Sequence, residues 1–216
     1  MSLVEQYALL PDEIDQESLK MVQASLPNDL ALPANEHYVL CRIIRAEGDP
    51  GIAGDVRFSP GAVERGLAAL RNHADVVTDV RMVEMGISKA LLRRWQVVTR
   101  CLIDAPEVAE RARRERTTRS VAAIRELSPH INGAVVAVGN APTALLALLD
   151  LVDQGAVNPA LVIGMPVGFV ACPESKQELV KRSIPYITIL GRRGGSSAAA
   201  ATVNALLDLM GKEEVL

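Results

Sequence analysis

From about residue 75 onward the chain alternates short β-branched runs with longer stretches whose apolar residues recur every three or four positions. The short runs predict strands at 75–80 (DVVTDV), 96–103 (QVVTRCLI), 133–138 (GAVVAV), 160–164 (ALVIG) and 186–190 (YITIL). The longer stretches predict helices over 106–127, 141–153, 174–182 and 195–210. This rhythm implies a doubly wound α/β fold, with a parallel five-stranded sheet flanked by helices. The near-continuous apolar character of the strands fits a sheet covered on both faces.

The first 74 residues read as helical. One helix is expected over 16–26. In FSPGAVERGLAAL, Ser59 can cap a second, with Pro60 at the first helical position. Between them lies VLCRIIRAEGDP, residues 39–50, which sets two arginines in an apolar run. Asn35 can cap this segment, Tyr38, Cys41 and Arg45 share a face, and Gly48 can take the left-handed closing position. A helix of about three turns follows, with Arg42 and Arg45 together near its C-terminal end. No repeat or linker divides the chain, so residues 1–216 are expected to form one domain with the helical segment 1–74 packed on it.

The composition, 49% hydrophobic but only 3% aromatic with a formal net charge of -3, requires an aliphatic core and a weak overall field. It gives no basic stripe with stacking aromatics, so nucleic acid is not an expected partner. No run reaches the roughly 18 to 20 apolar residues of a membrane span, and the first residues lack a signal-peptide pattern. Cys41, Cys101 and Cys172 are scattered and odd in number, as reduced thiols of a cytoplasmic protein would be.

Ligands of such folds bind beyond the carboxyl ends of the strands. The residues there are RMVEMG (81–86), GNAPT (139–143), GMPVGFVACPESK (164–176) and GRRGGSS (191–197), which carry Arg81, Lys176, Arg192 and Arg193. GNAPT reads equally well as a strand end followed by a helix start, with Asn140 as cap. GRRGGSS resembles an anion cradle but matches neither nucleotide-binding glycine motif, and its glycines also suit close helix-on-sheet packing. In RARRERTTRS the first arginines suit a solvated helix face, whereas Thr118, Arg119 and Ser120 form an anion-holding set. His37, His73 and His130 are isolated, so no metal site is expected.

Taken together, TTRS, VAVGNAPTALLALLDLV, ALVIGMPVGFVACPESK and ITILGRRGGSSAAAATVNAL resemble the precorrin-8X methylmutase family of cobalamin biosynthesis. The resemblance covers nearly the whole chain; at the N-terminus Tyr7, Pro11, Ile14 and Ser18 stand at the family's spacing. It implies a flavodoxin-like fold, a homodimer with active sites near the subunit interface, and no cofactor. The implied reaction moves a methyl group from C-11 to C-12 of precorrin-8X or its cobalt form, giving hydrogenobyrinate or cobyrinate. Carried over by position, Ser18 and Arg119 hold the tetrapyrrole, and Asn140, Thr143, Glu174, Ser175 and Lys176 line the wall or meet its carboxylates, followed by Arg192 and Arg193. Arg42, Ala46, Gly48 and Asp49 match the pattern R-x-x-H-A-x-G-D, but Arg45 occupies the position of the family's general-acid histidine. Arginine does not readily give up a proton, since its pKa lies above about 12. His37 is eight residues earlier, about 12 Å along the helix, too far for a direct swap. Three outcomes stay open at this point: an active isomerase, a weakened paralogue that binds or carries the corrinoid product, and an anion-binding α/β protein sharing only the architecture.

Overall fold

The computed structural model describes residue 2, residues 10–27 and residues 30–213. Tyr7, one of the N-terminal positions compared above, lies outside them. The chain runs α1 (Pro11–Ser25), α2 (Ala34–Glu47), a 3₁₀ turn (Pro50–Asp55), β1 (Val56–Phe58), α3 (Ala62–Arg71), β2 (Val76–Thr78), α4 (Arg81–Gly86), α5 (Lys89–Trp95) and β3 (Thr99–Arg100). It continues through α6 (Pro106–Glu115), α7 (Arg119–Glu126), β4 (Val135–Val138), α8 (Pro142–Asp153), β5 (Leu161–Gly164), α9 (Cys172–Val180), β6 (Tyr186–Ile189) and α10 (Ser196–Glu213).

The sheet order is β1-β6-β5-β4-β2-β3. Five strands are parallel, and the sixth, β1, adds antiparallel to β6 at the edge. The expected five-stranded sheet is therefore extended by one strand. β1 spans three residues, too short to show a period, and Ser59 seals it by exchanging bonds with Tyr186 across the strand pair. Numbered among themselves, the parallel strands have the order 2-1-3-4-5 of a flavodoxin-like sheet. Its topological switch point lies between β2 and β4.

Alternate residues of each central strand feed two helical layers. Val135, Ala137, Leu161 and Ile163 face the core shared with α2, α3, α4 and α10. Val136, Val138 and Val162 face α7, α8 and α9. In α10, Ala198 and Ala199 are fully buried, and this small surface brings the helix close to the sheet ends.

Several local expectations are corrected. Ser59 does not cap a helix: α3 begins at Ala62 after Gly61, which sits at φ 72°, and the Ser59 hydroxyl accepts the N–H of Tyr186 instead. Asn35 lies inside α2, whose cap position is Pro33, while Gly48 does close that helix at φ 67°. The segment 106–127 is two helices, broken where Arg116 turns left-handed at φ 52° and restarted by the Thr118 hydroxyl, which accepts the N–H of Val121. Strand β3 keeps only two of its eight expected residues, because Gln96 at φ 53° still belongs to the end of α5.

The break between α6 and α7 is bridged by Glu115, which accepts from Arg111 and Arg125. Those guanidinium groups hold its carboxyl below the ordinary glutamate value of 4.5. The pair therefore contributes stability that is present above that value and lost as pH falls through the lowered folded value. Urea titrations of the wild type and Glu115→Gln are expected to differ at pH 7 and to converge on acidification below about pH 4.5.

Candidate functional site

The carboxyl ends of the parallel strands and the N-termini of α7, α8, α9 and α10 meet along one edge of the molecule. Helix N-termini carry partial positive charge, so this edge favours negative groups before any side chain is counted. Backbone bonds tie its loops together. Met165 donates to Val138, Gly195 donates to Met165, and Gly168 donates to Arg192.

Two buried charges organise the loops from beneath. The fully buried Asp79, just past β2, accepts N–H groups of the chain beyond β4: Gly139 at 2.9 Å on Oδ1, Asn140 at 3.0 Å and Ala141 at 2.9 Å on Oδ2. Burial pushes its carboxyl above the ordinary range, opposed by these N–H groups, which favour the ionised form. Lys176 is the counterpart beyond β6. Its side chain is fully buried, and Nζ donates to the carbonyls of Gly191 at 3.1 Å and Arg193 at 2.6 Å. Burial holds that ammonium below the ordinary lysine value. Ser175 is also buried, its hydroxyl donating to the Cys172 carbonyl. Ser175 and Lys176, expected to line the wall or meet carboxylates, both face inward: Lys176 holds the loop after β6 and Ser175 bonds within its own helix, whereas Glu174 beside them is exposed.

The remaining sequence candidates fall into small groups along the edge. Thr118 and Thr143 stand 3.3 Å apart, oxygen to oxygen, joining the starts of α7 and α8. Arg119 follows Thr118 and is exposed, with Ser120 half-buried beside it. Arg42 and Arg45 converge on one carboxylate, Asp15 of α1, at 2.9 and 2.8 Å. Ser18 and Arg45 line a common depression of about 380 Å³ between α1 and α2, with Met21, Val22, Ile44 and Pro50. Arg81 pairs with Asp104 at 2.8 Å and Glu84 at 2.6 Å, which raise its pKa further. Arg193 pairs with Asp49 and with Asp55 at 2.7 Å.

The arginines therefore divide into two classes. Arg42, Arg45, Arg81 and Arg193 already meet protein carboxylates. Among the described residues, Arg119 and Arg192 meet none; the Arg192 guanidinium instead stacks over the Phe169 ring, 5.1 Å from its centroid. Phe169 is 78% exposed, in the same loop as the exposed Val167 and Val170, and Met82 and Met85 of α4 are likewise exposed beyond β2. Apolar surface and uncommitted positive charge thus share one edge.

Three contributors escaped the sequence reading. Phe169 is one of only two phenylalanines, set in a glycine-bounded loop past a strand, and that placement was a usable signal. Asp15 and Asp79 carried none, since their partners are distant in sequence. The histidines offer no substitute near Arg45. His73 and His130 precede β2 and β4 and so lie at the amino end of the sheet, where they approach the Trp95 carbonyl and Asp75. His37 lies one turn from Cys41, with Nδ1 3.7 Å from Sγ. Among the described residues no cluster of His, Cys, Asp or Glu could hold a metal ion.

A family model described as precorrin-8X methylmutase matches residues 13–209. The precorrin-8X methylmutase of Pseudomonas aeruginosa is 42% identical over 195 residues, which cover 89% of this chain and 93% of that protein. The cobalt-precorrin-8 methylmutase of Priestia megaterium is 37% identical over 198 residues, 91% of this chain and 87% of that protein. The solved structure of precorrin-8X methylmutase from Thermus thermophilus superposes with a TM-score of 0.86 at 38% identity, covering 94% of this chain and 97% of that one.

Lys176→Ala is expected to cost about 3 to 5 kcal/mol in urea denaturation, because it leaves a cavity in place of a fully buried side chain and takes the donor from two part-buried carbonyls. Arg193→Ala removes exposed ion pairs and is expected to cost a small fraction of that. Equal losses would show that Lys176 does not hold the loop.

Proposed function

Because the chain belongs to the precorrin-8X methylmutase family, a family of isomerases, we propose that it moves the C-11 methyl group of precorrin-8X or cobalt-precorrin-8 to C-12. The reaction is an isomerisation, so its overall balance calls for no oxidant, reductant or group donor. What the site supplies is orientation of a large polycarboxylate ring and stabilisation of charge that develops on it.

The observation that carries this reading is that the carboxyl edge holds exposed Met82, Met85 and Phe169 together with Arg119 and Arg192, whose guanidinium groups meet no carboxylate among the described residues. A macrocycle needs an apolar wall, and its acetate and propionate arms need cations that are not already neutralised. Arg119, with Thr118, Ser120 and Thr143, takes one arm, and Arg192, over the ring of Phe169, takes another, with Glu174, near Phe169 in sequence, in the wall. Asn140 meets the ring. Ser18, Arg42 and Arg45 bound the far side, where Arg45 acts as a fixed positive charge in place of the family's acid. Arg81 and Arg193 serve the edge through their carboxylate partners.

A homodimer is part of the proposal, and the exposed Val167 and Val170 support it as surface that a second copy covers. The described residues include no helix long and apolar enough to cross a membrane, which is compatible with a cytoplasmic enzyme.

The test is to incubate the protein with precorrin-8X, and separately with its cobalt form, and to follow the absorption change to product. The wild type is expected to turn over. Arg119→Ala is expected to weaken product binding about 10-fold to 100-fold, the value of a lost charge-assisted contact. Tight binding without turnover, restored by Arg45→His, would replace the isomerase with a carrier. Failure of both macrocycles to bind at micromolar concentration would overturn the function altogether.

A further inference from the structure

Asp79 lies at the switch point, between the strands β2 and β4 whose following segments leave toward opposite helical layers. In sheets of this order the crevice there is where a ligand's charged group is received by loop amides. Here the crevice is already occupied by the protein's own carboxylate, which takes the N–H groups of three consecutive residues, Gly139, Asn140 and Ala141. The next residue, Pro142, has no N–H to offer, and the cap position of α8 makes no side-chain bond of its own. The start of α8 is thus capped from another strand.

The consequence is positional. Gly139 packs so closely that a Cβ there would come within 2.6 Å of Val83 and 2.8 Å of the Ser196 backbone, so only glycine lets the loop lie this near α4 and α10. The three bonds to Asp79 keep it from lifting away. Held from both sides, the loop presents Asn140 at a set height and places Thr143 against Thr118, the cap residue next to Arg119.

We propose that Asp79 is a positioning residue of the isomerisation, acting through Asn140: it consumes the loop's amides so that the ring meets the Asn140 carboxamide and no carboxylate arm enters the crevice. This rests on the methylmutase reading above. The test is a double-mutant cycle on the full chain, with kcat for precorrin-8X and the affinity for hydrogenobyrinate measured separately. Asp79→Asn turns one acceptor into a donor facing an N–H, and Asn140→Ala removes the presented group. Each is expected to lower kcat about 10-fold to 100-fold, as loss of orientation does. The double variant is expected to be no slower than Asn140→Ala within about twofold, because neighbours that act as a unit are not additive. Should Asp79→Asn fail to fold, Ala141→Pro removes a single loop N–H, leaves Asp79 intact, and is expected to show the same non-additivity with Asn140→Ala.

Multiplying losses, or an Asn140→Ala variant with wild-type kcat, would overturn the positioning role while leaving the methylmutase reading intact. A wild type that neither binds nor converts the macrocycle would overturn that reading, and the positioning role with it.

Discussion

The carboxylate of Asp79 is the contact on which the functional edge depends. An ionised group in a protein interior is tolerated only when its lone pairs are met, and three successive amides meet them here. The arrangement ties the end of β2 to the start of α8 across the switch point, where these two strands send their chains to opposite faces. A fold that elsewhere relies on aliphatic packing is closed at this point by a single side chain. Lys176 does the converse work under the neighbouring loop, taking carbonyls where Asp79 takes amides. Between them the two buried charges set the heights of the loops after β4 and β6.

This division of labour explains how an edge with many arginines discriminates among them. Arginines paired with Asp15, Asp49, Asp55, Glu84 or Asp104 fix the approach of one segment to another. Arg119 and Arg192 meet no carboxylate among the described residues. The position of Arg45 acquires meaning in the same way. Its guanidinium shares Asp15 with Arg42, so α1 is joined to α2 by charge and the side chain serves structure.

Much of this was legible in the sequence. The alternation of β-branched runs with helical spacing located the central strands β2, β4 and β5, because residues buried on both faces leave an uninterrupted apolar signature, and placed the edge strand β3 only coarsely. Thr118 and Asn140 were marked by the loops they occupy. What the sequence did not disclose depends on partners far away along the chain. Strand β1 is too short to carry a period, and Ser59 resembled a helix cap until Tyr186 was beside it. Lys176 resembled a surface cation following a glycine-rich loop, yet its stem is long enough to pass beneath the backbone and return to the carbonyls of Gly191 and Arg193. Asp79 sat inside an apolar run as an apparent strand end, 60 residues from the first amide it binds. Burial of a charge is a tertiary property, and local pattern does not report it.

A crystal structure of the protein with hydrogenobyrinate bound tests the central claim most directly. The account predicts ligand carboxylates at the guanidinium groups of Arg119 and Arg192, with the Asp79 carboxylate still holding the amides of Gly139, Asn140 and Ala141. A ligand carboxylate seated on those amides, with Asp79 turned away, would contradict it.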